Sequence, residues 1–223
     1  MKQLLLALPA LLTSLLCACV VCVGQSSCRN TVHGSGTAAV EARGVGDFSR
    51  IEVGSTAHVT ASTGPETSVI VHWDDNLVPY VRTELRGDTL VVDLVDGSYS
   101  SKSDPEIEIV TARIEGVTVS GAGHAEVRGV DVDRFEAHVS GAGDMRVAGR
   151  ADAVTARVSG AGDLDLSELT ARTGDVEVSG AGDLEINARE NLVARVSGAG
   201  DVHYSGDPSV SKTVSGAGSV NRR

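Results

Sequence analysis

Beyond residue 28 the chain has no cysteine. All four, Cys17, Cys19, Cys22 and Cys28, sit at the N-terminus, which excludes disulfide staples and a thiolate metal site from the rest of the 223 residues. Aromatic residues are scarce at 3%, too few to fill a thick globular core. Basic residues never cluster: Arg222-Arg223 is the sole adjacent pair, and the formal net charge is −11. Such a surface repels phosphate backbones and excludes nucleic-acid binding. Sequence motifs for catalysis are missing as well. There is no His-x-x-x-His, no pair of Cys-x-x-Cys elements, no Gly-x-Ser-x-Gly and no phosphate loop. What the chain does have is glycine, 26 residues of it, which suits a thin fold with tight turns. Gly-x-Gly recurs but never opens a helical pattern, so a nucleotide-binding reading fails.

Residues 1–19 read as an export signal. Met1-Lys2-Gln3 carries one positive charge, and an apolar run follows from Leu4 to about Leu16, broken by Pro9, Thr13 and Ser14. Leu16-Cys17-Ala18-Cys19 resembles a bacterial lipobox with Cys19 as the lipidated residue, although Cys17 is unusual at its position. Cleavage near Gly24 or Ser26 and an uncleaved anchor stay open beside lipidation, because the apolar stretch continues through Val23 and approaches the roughly 20 residues that span a bilayer. Each reading exports the protein and leaves it at the bacterial cell envelope, in the periplasm or attached to a membrane through its N-terminal lipid or anchor. Val20, directly after Cys19, resembles the outer-membrane sorting pattern. Residues 20–44, with Gln25-Ser26-Ser27 and Gly34-Ser35-Gly36, read as a flexible tether.

Residues 45–223 read as one β domain. Its second half repeats Ser-Gly-Ala-Gly at Ser120, Ser140, Ser159, Ser179, Ser197 and Ser215, at spacings of 20, 19, 20, 18 and 18 residues. A fixed period near this length means a solenoid, in which no unit buries its own apolar face. Within a repeat the apolar residues alternate. Val154, Ala156 and Val158 interleave with Thr155, Arg157 and Ser159, and Leu164 and Leu166 with Asp163 and Asp165. This period of two is that of a strand. The expected fold is therefore all-β, a right-handed parallel β-helix whose coils each hold two or three short strands and turn at Gly-Ala-Gly. Glycine serves such a corner in two ways, by adopting positive φ and by letting the next coil's backbone approach. Residues 116–220 form the repeat coils. Residues 45–115 alternate too, in Phe48–Val53, Ala57–Thr60, Ser68–His72 and Leu90–Leu94, with turns at Gly64-Pro65, Arg86-Gly87-Asp88 and Asp96-Gly97-Ser98. They predict wider coils capping the N-terminal end of the stack.

These elements resemble one known family, the bacterial auto-transporter adhesin head domain, also called the GIN domain (DUF2807). The likeness runs from about Val45 to Val220. It rests on Gly46-Asp47-Phe48-Ser49-Arg50-Ile51-Glu52-Val53, on the serial Val-Ser-Gly-Ala-Gly-Asp elements, and on the close at Tyr204-Ser205-Gly206-Asp207-Pro208. The resemblance implies a right-handed β-helix on an exported, often lipid-anchored envelope protein, and it supplies no catalytic residues. His124 and Ser219 stand where the family has Asp, which confines any property of that position to the middle coils.

Asp144, Asp163, Asp183 and Asp201 each follow Gly-Ala-Gly and stack on one corner. Unit charges about 4.8 Å apart repel by roughly 0.9 kcal/mol in water, so something must offset them. Two arrangements do so: each carboxylate accepts N–H groups of its own turn, or the column binds cations. The first is expected, because cation-binding β-rolls recur every nine residues and these corners do not. His72-Trp73-Asp74-Asp75-Asn76, which holds the single tryptophan, reads as a strand end entering an Asx-rich turn with Trp73 covering the cap.

No catalytic residue, metal ligand or cofactor is therefore expected. The chain reads as a non-enzymatic envelope module, an adhesin or surface-structural element with a protein or surface-polymer partner, its oligomeric state left open. A periplasmic accessory or sensing module that binds a protein through its sheet faces is the alternative. A carbohydrate-processing β-helix enzyme ranks lower. Coils of near-minimal length leave no loops to wall a groove, and Phe135 and Tyr204 sit at inward parity.

Overall fold

The computed structural model describes residues 31–54 and 56–223. The export signal, Cys19 and residues 20–30 lie outside them. In chain order come β1 (Thr31–His33), β2 (Ala38–Arg43), β3 (Arg50–Val53), β4 (His58–Thr63), β5 (Ser68–Asp74), a single 3-10 turn (Val78–Tyr80), β6 (Val81–Arg86), β7 (Thr89–Leu94), β8 (Ser98–Ser100) and β9 (Glu106–Thr111). Then follow β10 (Gly116–Val119), β11 (His124–Val139), β12 (Asp144–Val158), β13 (Leu164–Val178), β14 (Leu184–Val196), β15 (Val202–Ser205), β16 (Ser209–Val214) and β17 (Val220–Arg222). They stack as a β-solenoid of about 5 turns.

The repeat half follows the alternation in the sequence. β11 to β14 pair in parallel, each with the next, and β14 continues onto β15 and β16. The register aligns the valines that precede each corner: Val92, Val53, Val119, Val139, Val158, Val178 and Val196 form one buried column. On the other side of the corner, Ile107, Val59, Ala125, Met145, Leu164, Leu184 and Val202 form a second. Each fully buried side chain of this size contributes about 1.5–3 kcal/mol, and it does so only once its neighbours are stacked. Inward parity resets twice in most repeats. In β13, Leu164 and Leu166, then Leu169 and Ala171, then Val176 and Val178 face the core. Hydrogen bonding runs on through these bends as bulges, so each expected set of short strands is one long, bent strand.

The corner glycines serve close approach alone. A Cβ at Gly141, Gly160, Gly180, Gly198 or Gly216 would stand 1.8–2.0 Å from the carbonyl oxygen of the glycine one coil earlier. The positive φ expected there falls elsewhere, at the later bends of the coil, where Gly129 has φ 78° and Gly206 φ 94°.

The N-terminal half departs from a simple run of wide coils. β3 pairs in parallel with both β7 and β10, and β4 with both β9 and β11. The β3–β4 coil, first in sequence, thus lies between the β7–β9 coil and the first repeat coil. The stack then ends in antiparallel strands, β6 on β7, β5 on β9 and β2 on β5. Antiparallel neighbours need only short connections, which lets the chain close this end of the stack locally; Gly87 at φ 65° closes the β6–β7 hairpin. Within the stretch expected as a tether over 20–44, the described residues from Thr31 onward hold two strands, β1 and β2. β1 pairs with β8 and β2 with β5, and Val32 and Ala39 pack on the core, which gives these residues a reason to be ordered. Trp73 does cover the cap: it is buried and donates its Nε1–H to Ser103 O at 2.8 Å, while Asn76 N donates to Asp75 Oδ1 in the turn that follows.

Candidate functional site

From the β3–β4 coil onward, the fifth residue after the valine that opens each corner lies on one line up the solenoid, and Glu106 of β9 holds that place in the coil beneath. The register runs Glu106, His58, His124, Asp144, and inter-coil hydrogen bonds carry it on through Asp163, Asp183 and Asp201 to Ser219. The close approach of the corners determines how these groups bond. The amides of Ala161 and Gly162 both donate to Gly141 O, so the turn's own amides are already engaged. Each carboxylate consequently reaches the next coil. Asp144 Oδ1 accepts from Asp163 N at 3.0 Å, Asp163 Oδ1 from Asp183 N at 2.8 Å, and Asp183 Oδ1 from Asp201 N at 2.8 Å. Asp201 Oδ1 ends the ladder by accepting both the N–H and the hydroxyl of Ser219. This corrects the expectation that each Asp captures its own turn. Below Asp144 stands His124, which offers no carboxylate, and there Asp144 N donates to Gly123 O at a longer 3.2 Å.

A hydrogen bond to a charged acceptor contributes about 1.5–3 kcal/mol, which exceeds the roughly 0.9 kcal/mol of repulsion per neighbouring pair in water. The ladder's own hydrogen bonds therefore offset its repulsion. The corner serines, Ser120, Ser140, Ser159, Ser179, Ser197 and Ser215, each donate N–H to the valine carbonyl one coil earlier at 2.8–2.9 Å. They fasten the coils and present their side chains outward. His58 joins the line with its ring 5.0 Å from that of His124. Sequence reasoning missed it because its corner lacks Ser-Gly-Ala-Gly; the signal was its spacing of five from Val53, the same as His124 from Val119.

The outer faces carry charge pairs between coils. Arg50 Nη1 lies 2.7 Å from Glu136, Arg146 Nε 3.0 Å from Asp165, Arg150 Nη2 2.9 Å from Asp131, and Arg172 Nη1 3.2 Å from Glu190. The hydrogen bond from Arg50 holds the Glu136 carboxyl below the usual carboxylate range. At Asp165 burial pushes the carboxyl up, but the Ser167 hydroxyl and N–H and the Arg146 guanidinium outweigh it and leave the group lowered.

The irregular surface lies at the cap. The loop joining β7 to β9 borders a cleft of about 640 Å³, lined among others by Trp73, Asp96, Tyr99 and Asp104. Sequence reasoning treated part of this loop as a turn only; the visible signal was Tyr99 embedded in a Ser-rich stretch, Ser98 to Ser103.

Comparison with known proteins places the fold. A putative adhesin from Bacteroides fragilis superposes with a TM-score of 0.72 at 20% identity, over 86% of this chain and 100% of that one. A putative lipid binding protein from Parabacteroides distasonis gives 0.59 at 20% identity, over 86% and 99%. A putative adhesin from Parabacteroides merdae gives 0.53 at 17%, over 86% and 99%. No curated protein matches. The family model described as "Putative auto-transporter adhesin, head GIN domain" matches residues 47–208, and the chain belongs to that family.

Proposed function

We propose that the protein is a non-enzymatic adhesion module of the bacterial cell envelope, held at the outer membrane by a lipid on Cys19. The observation that carries this reading is the state of the carboxylates. A general acid needs a raised pKa near its working pH. Here Glu136 and Asp165 are lowered, and the corner aspartates are committed to a ladder between coils. The faces of the solenoid also lack the long loops that would wall a substrate groove, since β10 to β14 follow one another through corners of four or five residues. Such a rigid rod, tethered at its capped end, supports contact with a protein or surface polymer. The family membership and the adhesin names of its structural neighbours support the same reading.

The test uses the full chain expressed in a Gram-negative host that does not adhere by itself. Retention of cells under flow on immobilised matrix proteins and glycans is expected with the wild type and lost with Cys19→Ser, which also leaves the membrane fraction. Unchanged membrane association and mass in Cys19→Ser overturns the lipid anchor. No retention of wild-type cells on any layer overturns the adhesion reading.

A further inference from the structure

We infer that the cap cleft is a binding site for a neutral saccharide. This deepens the adhesion reading and rests on it only for the setting in which a sugar is met. The cleft's volume, about 640 Å³, lies within the roughly 300–1,000 Å³ of small-ligand sites. It stands where a chain of six aromatic residues gathers three of them: Tyr99 packs edge-on to Trp73 at 5.8 Å and against Tyr80 at 5.1 Å.

The loop that walls it is fastened from below. Tyr99 Oη donates to Val95 O at 2.6 Å, Trp73 Nε1 to Ser103 O at 2.8 Å, and Ser101 Oγ to the buried Asp74 at 2.8 Å. Gly97 lies so close over Tyr99 that a Cβ would come within 2.8 Å of its hydroxyl. These bonds occupy the loop's inner groups and leave outer ones unused. Among the described residues, the carboxylates of Asp96 and Asp104 and the hydroxyls of Ser100 and Ser103 enter no hydrogen bond or ion pair.

The chemistry of those free groups selects the ligand. Carboxylates accept from hydroxyl or amine donors, serine hydroxyls both donate and accept, and the half-buried Tyr99 adds an aromatic residue to the lining. No Lys, Arg or His lines the cleft, which disfavours phosphates and acidic sugars. Among the described residues no three His, Cys, Asp or Glu side chains gather as a metal site of that composition requires. A polyhydroxylated ring with an apolar C–H face meets all of these conditions.

Trp73 is the single tryptophan and borders the cleft, so its fluorescence reports binding in the detergent-solubilised full chain. Maltotriose, cellotriose and chitotriose are titrated as neutral probes, with trigalacturonate and spermidine as charged counterparts. At least one neutral probe should change the emission saturably. The Asp96→Asn/Asp104→Asn variant, altered only at exposed positions, should weaken that probe at least tenfold with an unchanged far-ultraviolet spectrum. Failure of every neutral probe, unaltered affinity in the double variant, or tighter binding of spermidine or trigalacturonate overturns the inference. Neutral glycan from the producing strain and mucin glycan, each immobilised, separate the two sources; retention on either that the double variant loses supports the site. Cells carrying the double variant that adhere as well as wild-type cells refute the saccharide site while leaving adhesion standing. Saturable sugar binding by a protein whose cells never adhere refutes adhesion alone.

Discussion

Replacing Gly160 by Ala tests whether coil spacing, rather than backbone conformation, is what the corner glycines supply. The added Cβ would stand 1.8 Å from Gly141 O and 2.8 Å from its carbonyl carbon. Both obstructing atoms are backbone, so no side chain can swing aside, and the two coils must part locally by more than 1 Å. Gly141 O accepts from Ala161 N at 3.0 Å and from Gly162 N at 3.3 Å, and both bonds break on that movement. At about 1 kcal/mol for each lost bond and about 1–3 kcal/mol for the groups left unpaired, the loss is roughly 3–5 kcal/mol. Alanine's smaller unfolded-state entropy returns about 0.4–1 kcal/mol. A net loss near 3 kcal/mol is large against a typical stability of about 5–15 kcal/mol. Urea titration followed by far-ultraviolet circular dichroism measures it, with Gly44→Ala as control. Gly44 has open space around its would-be Cβ and no positive φ, so that change should lie within about 1 kcal/mol of wild type. A Gly160→Ala protein equally close to wild type would refute the close-approach account.

Three further outcomes are expected. Asp183→Ala deprives Asp201 N of its acceptor and should cost about 1–2 kcal/mol. Asp183→Asn keeps an acceptor and relieves the repulsion from Asp163 and Asp201, so it should be neutral or stabilising in the same urea assay; an Asn variant as weak as the Ala variant contradicts the ladder. Val158→Asp or Leu184→Asp buries an unpaired charge at a fully enclosed position and should cost more than about 3 kcal/mol. Thr155→Asn, outward on the same strand as Val158, should stay within about 1 kcal/mol. Glu136 and Asp165 both have lowered pKa values. The stability they contribute is therefore present above their unfolded values near 4 and lost as pH falls through the folded ones. Solvent screening limits it to under about 1 kcal/mol. Wild type and Glu136→Gln/Asp165→Asn should differ at pH 6 and converge as the pH falls below the folded values of the two groups, as thermal melts in matched buffers would record.

The repeat half was legible because each of its signals is local. Val158, Ser159, Gly160, Ala161, Gly162 and Asp163 recur together, and stacking only multiplies what one coil shows. The strand register and the two core columns follow from that. The direction of the aspartate hydrogen bonds did not, because it depends on an atom one coil away: with Gly141 O taking two amides of the next corner, the carboxylate meets the next coil's N–H first. The cap was illegible for a different reason. Arg50–Val53 and Leu90–Leu94 alternate like any strand, and nothing within either says that β3 will lie between β7 and β10. That order is set by long-range pairing. The same holds for Ala38–Arg43, whose modest alternation reads as tether until the bare edge of β5 gives it a partner.

The division between the two halves also bears on where binding can occur. A coil of 18–20 residues spends nearly all of its backbone on pairing with the coils above and below, and its outward side chains are drawn into ion pairs such as Arg146–Asp165 and Arg172–Glu190. Inserting a specific pocket there would mean breaking a register that every neighbouring coil depends on. At the cap no such constraint acts on one side. The chain between β7 and β9 can lengthen by a loop, carry Tyr99 and the free acids Asp96 and Asp104, and still return in register at Glu106, opposite His58. A solenoid with minimal coils therefore divides its labour: the repeats supply a stiff, self-neutralising rod, and chemical selectivity is left to the end where the repetition stops.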